Sequence, residues 1–293
     1  MMTTHPFQPY SVAMITPFSQ QGAVDQASVR QMVNYYTYNQ VPALLVSGST
    51  GEQHSLTLEE RIFLYQSVKD AAPGSMPLYA GVATVRTRDA VRLAREAEQT
   101  GLSAIMLGFP PYVRPNQREA ALYVQEVCSA TSLPLMLYNN PLRTGFNLEM
   151  ETLFRLVKEF PQIIALKEAG NPDRIKEIKA ELGTDFQVLS GFDLAIADYF
   201  DKGYDGLTSV AGNLFPLEFL KIIQLLREGN SVQAHHELGK LRESLELLGS
   251  IGWIRVIRHL FASHGIAAGY FREPLSPLTT EEQTAVQGIR LST

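Results

Sequence analysis

Cysteine is nearly absent from this chain of 293 residues, in which Cys128 is the single example. One cysteine excludes an internal disulfide and every metal site that is built from several thiolates. The six histidines do not offer an alternative, because no pair has ligand spacing and none clusters at the end of a predicted strand. We therefore expect no metal site.

Long apolar runs and clusters of basic residues are missing as well. No apolar stretch reaches the length of a membrane span, and residues 1–10 contain no basic cluster that leads into an apolar segment. The 25 basic residues are scattered and the formal charge is -5, which disfavours a polyanionic partner. We expect a cytoplasmic protein that binds neither membranes nor nucleic acid.

Glycine-rich nucleotide loops are also absent. Where an open, doubly wound sheet carries a dinucleotide-binding turn after its first strand, this chain has Ile-Thr-Pro-Phe at residues 15–18. Residues 48–52, Gly-Ser-Thr-Gly-Glu, are not followed by the Gly-Lys-Ser/Thr of a P-loop. A nucleotide-binding sheet is therefore disfavoured.

The chain does contain eight short β-like runs that alternate with amphipathic helical segments. We predict strands at residues 12–15, 43–46, 78–82, 104–107, 135–138, 163–166, 187–189 and 206–210. Each connection is long enough for one crossover helix, and this alternation is typical of a parallel sheet covered by helices. Eight such units favour a closed (β/α)₈ TIM barrel, with the open doubly wound sheet as the alternative.

Four helices are predicted after the eighth strand, at residues 216–228, 232–248, 254–264 and 280–289. The first completes the barrel, whereas the other three exceed what a barrel needs. We therefore predict a barrel over residues 1–229 and a C-terminal helical extension over residues 230–293, packed on the barrel without a linker.

The apolar run at residues 163–166 leads directly into Lys167. This run is bounded by Pro161 and Gly170, which is typical of a strand buried on both faces. Burial disfavours a charged ammonium, so a lysine here has a lowered pKa and can act as an amine nucleophile toward a carbonyl. The alternative is a lysine beyond the strand end that reaches water or pairs with a carboxylate.

Other reactive side chains stand at predicted strand ends, where barrel enzymes build their active sites. Tyr138 is a candidate for proton transfer or a barrel-filling residue, and Arg143 is either a carboxylate-binding fork or a surface charge. Residues 48–52 form either a cradle for a small carboxylate or a plain turn. Tyr112 follows two prolines that project it away from its own barrel.

These motifs resemble the dihydrodipicolinate synthase and N-acetylneuraminate lyase family along essentially the whole chain. They are Thr16-Pro17-Phe18, Gly48-Ser49-Thr50-Gly51-Glu52, Tyr138-Asn139-x-Pro141-x-Arg143-Thr144-Gly145 and Lys167-Glu168-Ala169. The resemblance implies a pyruvate-dependent class I aldolase, which needs no cofactor beyond the lysine imine. It also implies a homotetramer built as a dimer of dimers.

The resemblance further implies a role for each matching residue. Lys167 would form a Schiff base with pyruvate, and Tyr138 would relay protons. Tyr112 would enter the active site of a partner subunit. The remaining predicted site residues are Ser49 and Thr50, which would hold the carboxylate together with Gly48, and Gly191 and Thr208, which would line the pocket near the imine.

The substrate is less clearly indicated. Arg143 favours an acceptor aldehyde with its own carboxylate, such as aspartate semialdehyde, which is the acceptor of the synthases. Ser49 and the pair Phe192-Asp193 are instead similar to the lyases, and Asp193, with Thr208 and Ser209, offers partners for sugar hydroxyls. The first prediction is the synthase condensation. The alternatives are cleavage or dehydration of a 2-oxo sugar acid and, more distantly, a non-catalytic barrel that binds a 2-oxo acid.

Overall fold

A computed structural model describes residues 5–291, which contain a closed barrel of eight parallel strands. The strands are β1 (Tyr10–Ala13), β2 (Leu44–Val46), β3 (Leu78–Gly81), β4 (Ala104–Gly108), β5 (Leu135–Asn139), β6 (Ile163–Glu168), β7 (Gln187–Ser190) and β8 (Gly206–Ser209). Each strand pairs with the next along the chain, and β8 pairs with β1 to close the sheet. The predicted (β/α)₈ barrel is therefore confirmed.

Helices cover the outside of the barrel and continue beyond it. They are α1 (Gln26–Tyr38), α2 (Leu58–Ala71), α3 (Thr87–Gln99), α4 (Gln117–Cys128), α5 (Pro141–Thr144), α6 (Met150–Glu159), α7 (Ile175–Leu182), α8 (Ile196–Phe200), α9 (Pro216–Arg227), α10 (Ser231–Ile251), α11 (Trp253–Ser263) and α12 (Thr280–Val286). Short 3₁₀ turns lie at Gln53–Ser55, Pro172–Arg174 and Ala211–Asn213. The helices predicted after the eighth strand correspond to α9 through α12.

The first strand begins two residues earlier than predicted. It spans Tyr10–Ala13 instead of residues 12–15, because its ladder with β8 already begins where Tyr10 pairs with Leu207. Met14 and Ile15 are fully buried, but they lie in the loop that follows the strand. Apolar character identified the segment correctly and placed its boundary wrongly.

Strand β6 shows how the barrel assigns its side chains to two layers. Ala165 belongs to the cluster inside the barrel, together with Leu45 and Met106, whereas Leu166 belongs to the layer between the strands and the helices. Successive side chains of a strand point to opposite faces. Lys167 therefore points into the barrel and Glu168 points outward.

The C-terminal helices pack against the last part of the barrel. Helix α10 contacts α8 and α9, and it also contacts α11 and α12. The division into residues 1–229 and 230–293 stays a prediction, and residues 1–4 and 292–293 at its outer ends lie outside the described residues. Across residues 5–291, no helix is long and apolar enough to cross a membrane. Nor does that part of the chain group three or more His, Cys, Asp or Glu side chains around a possible metal position.

Candidate active site

A cavity of about 710 Å³ opens at the carboxyl ends of the barrel strands. Ala13, Leu45 and Met106, from the interior cluster, contribute apolar surface to it. Seven of the ten predicted site residues line this cavity, so the structure brings most of the predicted site together: Ser49, Thr50, Tyr138, Arg143, Lys167, Gly191 and Asp193.

Lys167 lies inside β6 and is only 5% exposed. Its Nζ donates a hydrogen bond to the carbonyl oxygen of Thr208 at 3.3 Å and lies 4.9 Å from the centre of the Tyr138 ring. Within residues 5–291 no carboxylate forms an ion pair with it. The alternative of a water-exposed or carboxylate-paired lysine beyond the strand end is therefore wrong.

The surroundings of Lys167 favour its neutral amine. Burial lowers the pKa of Lys167 to about 8, while the nearby Asp193 raises it and the positive charge of Arg143 lowers it further. A much larger fraction of this amine is unprotonated near neutral pH than in an ordinary lysine. The nitrogen is therefore a competent nucleophile toward a carbonyl carbon.

Gly191 follows β7 and lies beside the lysine side chain. A Cβ atom at this position would stand 2.8 Å from Cε of Lys167, which is closer than real Cβ atoms approach a carbon. The glycine therefore leaves the space that the lysine, and any imine formed on it, occupies. The structure thus places Gly191 beside Lys167, and its role near an imine stays a prediction.

Tyr138 pairs with Lys167 across the ladder between β5 and β6, and its ring also faces the barrel interior. Its phenol oxygen accepts a hydrogen bond from Nδ2 of Asn140 at 2.7 Å. Burial raises the pKa of Tyr138, whereas the Asn140 hydrogen bond and the charge of Arg143 lower it. The phenol is thus adjacent to the lysine and can exchange protons with groups bound there.

The loop after β2 supplies Ser49 and Thr50 to the cavity wall, while the buried Gly48 lies behind them against Leu45. Thr16 holds this loop, because its hydroxyl donates a hydrogen bond to the carbonyl oxygen of Gly51 at 2.7 Å. Ser49 and Thr50 therefore lie in a loop that is bonded to the segment after β1, and their role in holding a carboxylate stays a prediction. Thr16 belongs to one of the motifs that carry the family resemblance, but its hydrogen bond to Gly51 was not predicted.

A buried ion pair lies beneath the same loop. Nη2 of Arg258, on α11, lies 2.5 Å from a carboxylate oxygen of Glu52, and both side chains are 1% exposed. The guanidinium also donates to the carbonyl oxygens of Thr16 and Ala268 and lies over the ring of Phe18. This cluster was missed from the sequence. Its signal was an arginine in the middle of an apolar helical pattern.

Glu168 occupies the outer face of β6 and is fully buried. Its carboxylate accepts hydrogen bonds from Nδ2 of Asn139 at 3.0 and 3.1 Å and from the backbone N–H of Gly170 at 2.6 Å. Arg174 lies 3.6 Å away. Glu168 and Asn139 therefore fasten the ends of β5 and β6 together behind the reactive side chains.

Asp193 and Thr208 do not stand as free partners for a substrate hydroxyl. The carboxylate of Asp193 accepts hydrogen bonds from the Ser209 hydroxyl and from the backbone N–H groups of Val210 and Ala211. Thr208 does not line the described cavity, because its hydroxyl accepts from Ser11 and only its carbonyl contacts the lysine. The predicted pocket position of Thr208 is thus corrected to a position behind Lys167.

The mouth of the cavity combines one predicted residue with a wall that was not predicted. Arg143 is exposed on α5, next to Leu142, which is 86% exposed. The C-terminal helices contribute Leu245, Glu246, Gly249 and Trp253 to the lining. Tyr112 is 95% exposed and does not line the cavity of its own chain. The C-terminal extension therefore forms part of the cavity wall.

Comparison with known proteins gives one consistent family. The family model described as the dihydrodipicolinate synthetase family matches residues 6–290. The chain is 36% identical to 4-hydroxy-tetrahydrodipicolinate synthase 1 of Halalkalibacterium halodurans, over 94% of this chain and 93% of that protein. It is 33% identical to 4-hydroxy-tetrahydrodipicolinate synthase of Bacillus subtilis, over 94% of this chain and 96% of that protein.

The fold comparison agrees with the sequence comparison. The crystal structure of dihydrodipicolinate synthase from Aquifex aeolicus superposes with a TM-score of 0.93 at 30% identity, covering 98% of this chain and all of that one. Family model, relatives and fold thus agree over nearly the whole chain. The chain belongs to the dihydrodipicolinate synthetase family, and it is an enzyme of the lyase type.

Proposed function

We propose that Lys167 forms a Schiff base with pyruvate and that the resulting enamine attacks an aldehyde. The observation that carries this proposal is the buried Lys167 amine on a cavity wall, beside Tyr138 and with a lowered pKa. An imine on lysine can itself withdraw electrons from the adjacent carbon, so this chemistry needs no external cofactor.

The steps balance with Tyr138 as the single proton carrier. The neutral amine of Lys167 adds to the pyruvate carbonyl and gives a carbinolamine. The phenol then donates its proton to the carbinolamine oxygen, the C–O bond breaks, water leaves and a protonated imine remains. The phenolate next removes a proton from the methyl carbon, which yields the enamine and restores the phenol.

The cavity wall can hold the two ends of such a substrate. Ser49 and Thr50 lie on the wall where the pyruvate carboxylate would accept hydrogen bonds. Arg143, at the mouth, is suited to a second carboxylate, as in aspartate semialdehyde. We therefore propose the condensation for which the synthase relatives are named. The engagement of Asp193 by Ser209 weakens the case for a sugar-like acceptor.

One observation supports a second candidate reaction. Glu246, from the C-terminal extension, is exposed and lines the same cavity as Arg143. A carboxylate there disfavours a carboxylated acceptor and can accept hydrogen bonds from hydroxyls. Cleavage or dehydration of a 2-oxo sugar acid is therefore the alternative reaction at the same Lys167 imine.

Borohydride reduction in the presence of pyruvate tests the Schiff base directly. We expect a reduced pyruvate adduct on the peptide that contains Lys167, located by mass spectrometry. The same treatment without pyruvate is the control for nonspecific modification. An enzyme that acquires no adduct on Lys167 would contradict the proposed function and support a barrel that only binds a 2-oxo acid.

The substitution Arg143→Leu tests the acceptor. If the guanidinium binds a second carboxylate in the transition state, kcat/KM for aspartate semialdehyde should fall roughly 30- to 1,000-fold. This factor corresponds to a loss of about 2–4 kcal/mol of transition-state stabilisation. Cleavage of 2-oxo sugar acids should change little. Arg118→Leu, on the exposed face of α4, is the matched control. Equal losses for both substrates, or no loss, would remove the reason for preferring the condensation.

We also propose that the enzyme works as a homotetramer in which Tyr112 completes the site of a neighbouring subunit. The nearly full exposure of this ring supports the proposal. Tyr112→Phe should lower turnover, whereas Tyr38→Phe, at another highly exposed tyrosine, should not. Sedimentation at assay concentrations gives the assembly state, and a fully active monomer is incompatible with the proposal.

A further inference from the structure

Asn140 stands between Asn139 and Pro141, at a position that the family motif leaves unspecified, and its side chain contacts the Tyr138 phenol. It is 8% exposed and lines the cavity. Its Nδ2 lies 2.7 Å from the phenol oxygen of Tyr138. Asn139, one residue earlier, points to the outer face and bonds Glu168 instead. Of these two asparagines, Asn140 is the one that reaches the phenol.

The orientation of the Asn140 amide is fixed by a second contact. Its Oδ1 accepts a hydrogen bond from the backbone N–H of Arg143 at 3.2 Å, which caps the first turn of α5. Because the oxygen is used there, the NH₂ group must face Tyr138. An NH₂ group only donates, so the phenol oxygen accepts and its own proton is left for another acceptor.

We propose that Asn140 is a positioning residue that presents the Tyr138 phenol as a proton donor to the substrate bound at Lys167. This inference rests on the proposed Schiff-base function. A hydrogen bond to an ionised acceptor is stronger than one to a neutral acceptor. The Asn140 amide therefore stabilises the phenolate that remains once Tyr138 has given its proton to the carbinolamine.

Two substitutions separate this contact from the capping contact. Asn140→Ser keeps a side-chain oxygen for the Arg143 cap but is too short to reach the phenol. Asn140→Asp keeps the cap and replaces the donor by an acceptor, which turns the phenol proton away from the cavity. Asn171→Ser is the matched control, because Asn171 is an exposed asparagine that caps the 3₁₀ turn after β6.

The experiment measures the rate of imine formation. Mixtures of enzyme and pyruvate are quenched with borohydride at timed intervals, and the trapped adduct is quantified. We expect Asn140→Ser to slow imine formation roughly 10- to 100-fold and Asn140→Asp to slow it more. The pyruvate concentration for half-maximal rate should stay unchanged in Asn140→Ser. Asn171→Ser should match the parent enzyme.

A double-mutant cycle with Tyr138→Phe distinguishes positioning from a general structural effect. Imine formation stays measurable without the phenol, because a neutral amine still adds to a ketone without an acid catalyst, although more slowly. In the Tyr138→Phe background, Asn140→Ser should have no further effect. Equal slowing in both backgrounds, or none in the parent, would overturn the inference while the proposed function stands. A parent enzyme that traps no pyruvate on Lys167 would overturn both.

Discussion

Lys167 and Glu168 are consecutive residues of β6, on its inner and outer faces respectively, and both are almost completely buried. Burial moves both pKa values toward the neutral form, lowering that of the lysine and raising that of the glutamate. The difference lies in their partners. Glu168 is bonded by Asn139 and Gly170 beside Arg174, whereas Lys167 has one hydrogen bond to a carbonyl.

This difference assigns a separate task to each face of one strand. The outer face satisfies its buried charge with several donors and so secures the end of the barrel. The inner face leaves its charge poorly satisfied, which costs stability and makes the amine reactive. The same apolar replacement at the two positions should therefore have opposite consequences, and four measurements examine that expectation.

The largest expected effect is the loss of chemistry in Lys167→Met. Removing the nucleophile should abolish pyruvate trapping and lower turnover by more than about 10³-fold. Circular dichroism should show an unchanged fold, because methionine fills a similar volume. Trapping of pyruvate at another lysine with retained turnover would show that the inner face of β6 is not the reactive one.

Glu168→Met should mainly affect stability. Asn139, Gly170 and Arg174 would lose their shared acceptor in a buried position, so we expect the free energy of unfolding to fall by about 2–4 kcal/mol. Urea denaturation measures this loss. Glu177→Met, on the exposed face of α7, is the matched control and should change stability little. A loss no larger than in the control would contradict the structural role of the outer face.

Lys167→Met should change the free energy of unfolding in the opposite direction in the same denaturation experiment. Below pH 8 the lysine is protonated in both states, and its lowered pKa means that the folded state bears the cost of the buried charge. Replacing it should raise the free energy of unfolding by roughly 1–3 kcal/mol. The gain should shrink as pH rises from about 8 toward the ordinary lysine value of 10.5. A destabilised variant at neutral pH would contradict the comparison.

The last measurement is the pH dependence of imine formation in the parent enzyme. A protonated amine cannot attack a carbonyl, so the rate should rise about tenfold per pH unit below the pKa of Lys167 and level off near pH 8. Timed borohydride quenching on both sides of this pH measures the profile. Levelling only near 10.5 would mean that burial does not activate the lysine.

Much of this arrangement could be predicted from the sequence, because it depends on local patterns. Alternating strands and helices predicted the barrel, and an apolar run ending in Lys167 predicted the strand that carries the buried lysine. Side chains at the ends of neighbouring strands, such as Tyr138 and Gly191, meet once the barrel closes. Such residues are placed by the architecture itself.

The parts that were missed depend on side chains that reach between distant segments. Thr16 bonds Gly51 from 35 residues away, and Arg258 bonds Glu52 from 206 residues away. Neither separation leaves a periodic trace in the sequence. The contact of Asn140 with Tyr138 is short in sequence, but it depends on the turn at α5, which the pattern did not predict.

The buried pair of Arg258 and Glu52 has a consequence for recombination between family members. It joins α11 to the base of the loop that carries Ser49 and Thr50. The C-terminal helices and this loop therefore need to match each other when segments are exchanged. A chimera that exchanges only the sequence after residue 230 for one lacking the arginine would bury an unpaired carboxylate, at a cost of about 3–5 kcal/mol. Crossovers should succeed where the incoming sequence supplies an arginine at the position of Arg258 to pair with Glu52.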